Sequence, residues 1–324
     1  MKHERIKVPG IYVSREIPLK GLERLRSVGT VEVSALDRQL SAGEIAESAA
    51  SAEVLVSMLS DPLDEALLSR LPKLRLIAQY AVGHNNIDLD YCRKNHVAVT
   101  TTPGVLTDAT ADLTLALILA VTRRLVEGDR LMRAGGFCGW APEFHLGESL
   151  QGMVLGIFGL GRIGQAVARR ATAFGLKIVY SSRSRRPDLE KELGLRFAAF
   201  ENMLQEADVV SIHVPLTFDT VHVFDRTALR LMKKGAYLIN TARGAVIKEM
   251  DLVEVLEEGH LAGAGIDVYE AEPAIDHRLL KMDQVVLLPH IGSATTSVRE
   301  KMALMVAESV AAYAKGERLP NRIA

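Results

Sequence analysis

The segment "VLGIFGLGRIGQAVARRATAFG" constrains the fold more than any other in the chain. "VLGIF" has the composition of a buried strand and "RIGQAVARRATAFG" that of a helix, and the three glycines between them have the spacing of a nucleotide-binding turn. Gly159 permits the tight turn, Gly161 lets the main chain approach a pyrophosphate, and Gly164 lets the helix pack on the strand. The whole stretch Gly159, Leu160, Gly161, Arg162, Ile163 and Gly164 is therefore a candidate cradle for a diphosphate at a helix amino terminus. The competing reading is a glycine-rich turn in a plain βαβ unit, and the flanking strand and helix weigh against it.

The same rhythm runs through the rest of the chain. Upstream, "IYVS", "TVEVS", "VLVSML", "LRLIAQYA" and "VAVTTTPG" alternate with helical stretches. Downstream, "KIVYSS", "DVVSIHVPL", "AYLINTA", "GAGIDVY" and "QVVLLPHIG" do the same. This pattern predicts two α/β units, each a doubly wound parallel sheet. Between them the spacing predicts one long apolar helix from about Thr107 to Met132, then a loop rich in Gly, Pro and aromatics, "RAGGFCGWAPEFHLGESL". The last segment has helical spacing and no further strand, so it is expected to return to the first unit. At 324 residues and 48% hydrophobic, the chain has material for about two domains.

Charge and cysteine usage exclude several classes of function. Thirty-nine basic and forty acidic side chains leave a formal charge of −1, which provides no global field for nucleic acid or an anionic membrane. The longest apolar run, "LTLALILAV", is less than half of the ~20 residues needed to span a bilayer. The polar amino end lacks the apolar core of a leader, so a cytoplasmic protein is expected. Cys92 and Cys138 have neither disulfide nor metal-ligand spacing, and no metal is expected.

The strand after the glycine turn, "KIVYSS", should end near an Asp or Glu if the ribose hydroxyls of NAD are to be held. It supplies Ser182, Arg183 and Ser184 instead, followed by Arg185 and Arg186. An acid would repel a 2′-phosphate, whereas a guanidinium and hydroxyls would serve it, which favours NADP(H) over NAD(H). A solvated basic loop is the plainer alternative, and it bears more on Arg185 and Arg186 than on Arg183.

Three further stretches, "NTARGAVI", "VYEAEP" and "LLPHIGSAT", follow strand-like runs, and ligand sites in such sheets lie outside the carboxyl ends of strands. They bring Arg243, Glu272 and His290. For a 2-oxo acid, Arg243 can grip the carboxylate, His290 can protonate the carbonyl oxygen as hydride arrives, and Glu272 can orient the imidazole. Taken singly, each also reads as an ordinary surface, turn or helix-entry residue.

Together, "GLGRIG", "NTARGAVI", "GAGIDVYEAEP" and "LLPHIGSAT" resemble the D-isomer-specific 2-hydroxyacid dehydrogenase family over essentially the whole chain. The resemblance implies that Arg243, Glu272 and His290 form the catalytic triad. It implies a discontinuous, flavodoxin-like substrate domain, 1–101 and 293–324, around an inserted NAD(P)-binding Rossmann domain, 102–292, and a homodimer. It places Thr107, "HVPLT" with His213, Val214, Pro215 and the nearby Thr220, and also Thr241, Ala242, Asp267 and Gly292 against the cofactor. It places Leu59, Val82, Gly83, Ser293 and a partner-donated Trp140 near the substrate, beside Arg243 and His290. Within the family the chain looks most like glyoxylate/hydroxypyruvate reductases that use NADPH. A 2-ketogluconate reductase, another D-2-hydroxyacid dehydrogenase and a non-catalytic dinucleotide-sensing corepressor are the alternatives. One departure is Thr296, where relatives often carry His or Phe.

Overall fold

A computed structural model describes residues 8–324. The polar stretch 1–7, read above for its lack of a leader, lies outside the described residues. The chain forms two compact units, one comprising the chain up to Leu106 together with Ala294–Ala324, the other Thr107–Ser293.

The first unit has five parallel strands: β1 (Gly10–Val13), β2 (Thr30–Val33), β3 (Val54–Ser57), β4 (Leu76–Gln79) and β5 (Ala98–Thr100), in the order β2-β1-β3-β4-β5. β3, β4 and β5 are buried throughout, as parallel strands covered on both faces must be. The helix Thr296–Lys315 belongs to this unit. It packs against the helix Leu19–Arg26 so closely that a Cβ on Gly21 would stand 2.5 Å from that of Ala303.

The second unit has seven parallel strands: β6 (Val154–Phe158), β7 (Lys177–Ser181), β8 (Arg196–Phe197), β9 (Val209–Ile212), β10 (Tyr237–Asn240), β11 (Gly263–Ile266) and β12 (Val285–Leu287). Their order is β12-β11-β10-β9-β6-β7-β8. The order reverses between β6 and β9, which is the switch point where such sheets bind ligands. Register levels one edge: Phe158 lies opposite Ser181 and Ile212, Asn240 opposite Ile212 and Ile266, and Ile266 opposite Leu287. The residues that follow all these strands therefore emerge along a single rim.

The single long helix expected over 107–132 is two helices, Thr107–Thr122 and Leu125–Arg133, broken at Arg124, whose φ is 52°. The break has a visible cause. The returning loop donates the Glu148 N–H to the Thr122 carbonyl at 2.9 Å, and a Cβ on Gly147 would lie 2.5 Å from that oxygen. The carbonyl that would continue the helix is thus taken by a distant segment. Among the described residues no helix is long and apolar enough to cross a membrane, and no cluster of His, Cys, Asp and Glu could hold a metal ion.

Candidate active site

The glycine turn has three distinct environments. Gly159 has φ 98°, and a Cβ there would sit 2.7 Å from the His213 carbonyl oxygen across the switch point. A Cβ on Gly164 would meet the Gly159 carbonyl at 2.1 Å, so only glycine lets the helix Arg162–Ala173 start this close to β6. A Cβ on Gly161 would meet nothing within 4 Å. The turn is therefore closed by protein on two sides and open on the third. The helix has no side-chain cap and no acid in its first turn, leaving amide N–H groups at its amino end for an anion. These features fit the diphosphate of a dinucleotide.

Beyond β7, the Ser182 hydroxyl donates to the Ser184 carbonyl at 2.7 Å. Glu190 is the nearby acid, but it faces Arg185, which donates from Nη2 at 2.7 Å, and the Tyr180 hydroxyl, also at 2.7 Å. Arg185 is thus a structural residue of this turn. Arg183 is exposed, and no carboxylate among the described residues pairs with it.

Across the switch point, the His213 ring bonds the Ser211 hydroxyl at 2.8 Å, and burial pushes its pKa down to about 3, which keeps the ring neutral. Thr220 donates to the Pro215 carbonyl at 2.6 Å and holds the loop that begins with Val214. Thr241 is buried against Thr114 at 3.0 Å, and Thr107 opens the helix Thr107–Thr122.

At the end of β10 the buried Asn240 side chain accepts from the Ala242 N–H at 3.0 Å and donates to the Arg243 carbonyl at 2.9 Å, which sets the turn that carries Arg243. Burial lowers the pKa of Arg243, and Glu272 opposes that shift. The next residue, Gly244, crosses the neighbouring loop: a Cβ there would collide with the Tyr269 carbonyl carbon and oxygen at 1.9 Å. No other residue could let the Arg243 turn lie on the loop bearing Glu272.

Glu272 and His290 are in contact. The carboxylate meets His290 Nδ1 at 2.8 Å through one oxygen and accepts the Tyr269 N–H at 2.9 Å through the other. Burial alone would raise the pKa of this carboxyl; the hydrogen bond and charge of His290 outweigh it and hold the pKa below the ordinary value. The Glu272 loop is clasped from behind. Glu270 accepts from His222 Nε2 at 2.7 Å and from the Glu249 N–H at 2.9 Å, while Glu249 accepts from the N–H groups of Glu270 at 3.1 Å and Asp276 at 2.9 Å.

His290 itself has φ 55°, an uncommon conformation for a residue with a side chain. What holds it is Asp267, fully buried, whose two oxygens accept the N–H groups of Ile291 at 2.7 Å and Gly292 at 2.8 Å. The Thr110 hydroxyl adds a bond to the Gly292 carbonyl at 3.0 Å. Asp267, assigned from the resemblance to cofactor contact, is thus first the anchor of the His290 loop. Asn240, Gly244 and the Glu249–Glu270–His222 clasp were not singled out from sequence, because their partners are backbone groups of loops remote in the chain.

Two groups of expected residues stand apart from these contacts. Leu59, Val82 and Gly83 are half-buried in loops following β3 and β4 of the first unit. Trp140, in the second unit, is 83% exposed, and elsewhere in the same stretch of chain Phe137 and Phe144 pack ring against ring with centroids 6.1 Å apart. Ser293 is half-buried at the end of that unit.

Known proteins resemble this chain over nearly its whole length. The sequence profile of the D-isomer specific 2-hydroxyacid dehydrogenase NAD binding domain matches residues 115–292. The chain is 47% identical to a glyoxylate reductase of Thermococcus litoralis, over 97% of its own length and 96% of that protein's. Its fold superposes with a TM-score of 0.91 on the TT0316 protein of Thermus thermophilus, at 45% identity, covering 97% of this chain and 100% of that one. An NADPH-dependent glyoxylate/hydroxypyruvate reductase of Sinorhizobium meliloti, solved with NADP and malonate, gives a TM-score of 0.86 at 31% identity, covering 98% of this chain and 97% of that one. With its glycine turn, its strand order and these relatives, the chain belongs to the D-isomer specific 2-hydroxyacid dehydrogenase family.

Proposed function

We propose that this protein is an NADPH-dependent reductase of small 2-oxo acids, converting glyoxylate to glycolate and hydroxypyruvate to D-glycerate, with Arg243, Glu272 and His290 as its catalytic residues. The observation that carries the reading is the 2.8 Å contact of Glu272 with His290, on a loop crossed by the Arg243 turn. With Nδ1 turned to Glu272, His290 presents Nε2 as the nitrogen from which a proton can leave toward the carbonyl oxygen. Glu272 fixes the ring's orientation. The half-buried Arg243 supplies a positive charge for the substrate carboxylate. Bound NADPH would supply the hydride.

The choice of NADPH rests on the acid-free turn after β7 and the unpaired Arg183, and is supported by the cofactor of the Sinorhizobium meliloti relative. Ser182 and Ser184 flank that guanidinium, and NAD(H) is the weaker alternative. The resemblance-based contacts of His213, Val214, Pro215, Thr220, Thr241, Ala242 and Gly292 with the cofactor belong to this reading, as do those of Leu59, Val82, Gly83 and Ser293 with the substrate. So does a cytoplasmic homodimer in which the exposed Trp140 is covered by a second copy.

Steady-state rates with NADPH and NADH against glyoxylate, hydroxypyruvate and 2-ketogluconate test the reading. NADPH with glyoxylate or hydroxypyruvate should give the highest kcat/KM. Absence of turnover with all three acids would refute the enzyme assignment, and preference for 2-ketogluconate would correct the substrate. Light scattering tests the dimer.

A further inference from the structure

The loops that follow β3 and β4 in the first unit are tied together by a buried side-chain network that the catalytic description does not use. Gln79, at the end of β4, is fully buried. Its oxygen accepts the Ser57 hydroxyl, and its two amide hydrogens go to the Gly83 carbonyl at 3.2 Å and to Asn86 Oδ1 at 2.8 Å. Asn86 in turn donates to the carbonyls of Met58 at 3.2 Å and Asp61 at 2.9 Å. The carboxylate of Asp61, 2% exposed, accepts the Ser14 hydroxyl and the Met58 N–H. Both amide groups thus use all their hydrogens, and turning either one over would set donor against donor or acceptor against acceptor.

The orientation of these carbonyls has a consequence for the other side of the same peptides. In a trans peptide the C=O and the following N–H point in opposite directions. With the Gly83 carbonyl held by Gln79, the His84 N–H points away from the network; with the Met58 carbonyl held by Asn86, so does that of Leu59. The N–H groups of Leu59, Val82, Gly83 and His84 have no acceptor among the described residues. Successive N–H groups left open in this way make an anion-binding concavity.

We propose that Gln79 and Asn86 are positioning residues for the carboxylate of the 2-oxo acid, locking two carbonyls inward so that the amides of Leu59 and His84, with those of Val82 and Gly83, face it. The inference rests on the function proposed above. Its test is the kinetics of Gln79→Met and Asn86→Ser with glyoxylate and NADPH, with oxalate as a competing dicarboxylate. Losing a hydrogen bond to a charged group should raise the KM for glyoxylate and the inhibition constant of oxalate roughly tenfold or more. A lost uniform-binding interaction leaves kcat within about threefold, and the KM for NADPH should not move. An unchanged glyoxylate KM in a folded variant, or a joint loss of kcat and both KM values, overturns the proposal. Should Gln79→Met fail to fold, Asn86→Ser and Ser57→Ala decide by the same criterion. Inactive wild-type protein refutes the functional reading and this inference with it; active wild type, inactive His290→Ala and lock variants of normal KM refute the inference alone.

Discussion

Two parts of the same rim of the second unit, the paired loops of Glu272 and His290 and the turn after β7, are built on opposite plans. The loop of Ile291 and Gly292 behind His290 is held by both oxygens of a buried Asp267, and the loop of Glu272 by the Glu249–Glu270–His222 clasp. The turn after β7 contains one internal ion pair, Arg185 with Glu190, and leaves Arg183 exposed and unpaired. In the proposed function His290 is a proton donor that must be placed before substrate arrives, and the protein provides its partners. In the same proposal Arg183 meets a 2′-phosphate, and it gains most if no internal carboxylate competes for it.

The sharpest way to break this contrast is on the His290 side. His290→Ala should lower kcat about 10²–10⁴-fold, the usual range for a general acid, while nucleotide binding measured by fluorescence is retained. A loss of nucleotide affinity as large as the loss of rate would show that the two loops are not separate in function.

Glu272 gives a pH test. Its folded pKa is depressed below the ordinary value of 4.5, so its stabilising contact with His290 is fully present above 4.5 and is lost as pH falls through the depressed value. Wild-type protein should therefore be destabilised by acid more steeply than Glu272→Gln, in thermal melts taken from pH 6 downward. Identical acid profiles would remove Glu272 as a coupled partner.

Asp267→Asn replaces one acceptor oxygen with a donor facing a backbone N–H. It should cost about 1–3 kcal/mol in denaturant unfolding of the purified protein. A variant as stable as wild type would mean that the His290 loop holds itself.

The smaller effects lie on the other loop. Arg183→Ala should raise the KM for NADPH roughly tenfold and leave that for NADH unchanged. Arg185→Ala, which removes only an ion pair internal to the turn, should leave the ratio of the two untouched. If Arg185 rather than Arg183 governs the ratio, the assignment within this turn is reversed.

The strands were legible in the sequence because burial on both faces leaves near-continuous apolar runs such as "VLVS" and "YLIN", and the doubly wound architecture follows from their alternation with helices. The break at Arg124 was not legible. Hydrophobic spacing continues across it, and its cause, the Glu148 N–H on the Thr122 carbonyl, comes from a loop more than twenty residues on. Residue type and position drew attention to Glu272 and His290, which the fold brings into contact. The anchors behind them, Asn240, Asp267 and Glu270, act on backbone groups of other loops, and no local periodicity records such pairings.

The collision awaiting a Cβ on Gly244 bears on how this enzyme could be re-engineered. Because the Arg243 turn and the Tyr269–Glu270 peptide are pressed together with no room for a methyl group, neither can be resculpted without displacing the other. In the proposed function, charge recognition by Arg243 and proton delivery by His290 are therefore mechanically a single part. Libraries aimed at new acids would do better to treat the crossing at Gly244 as a fixed joint.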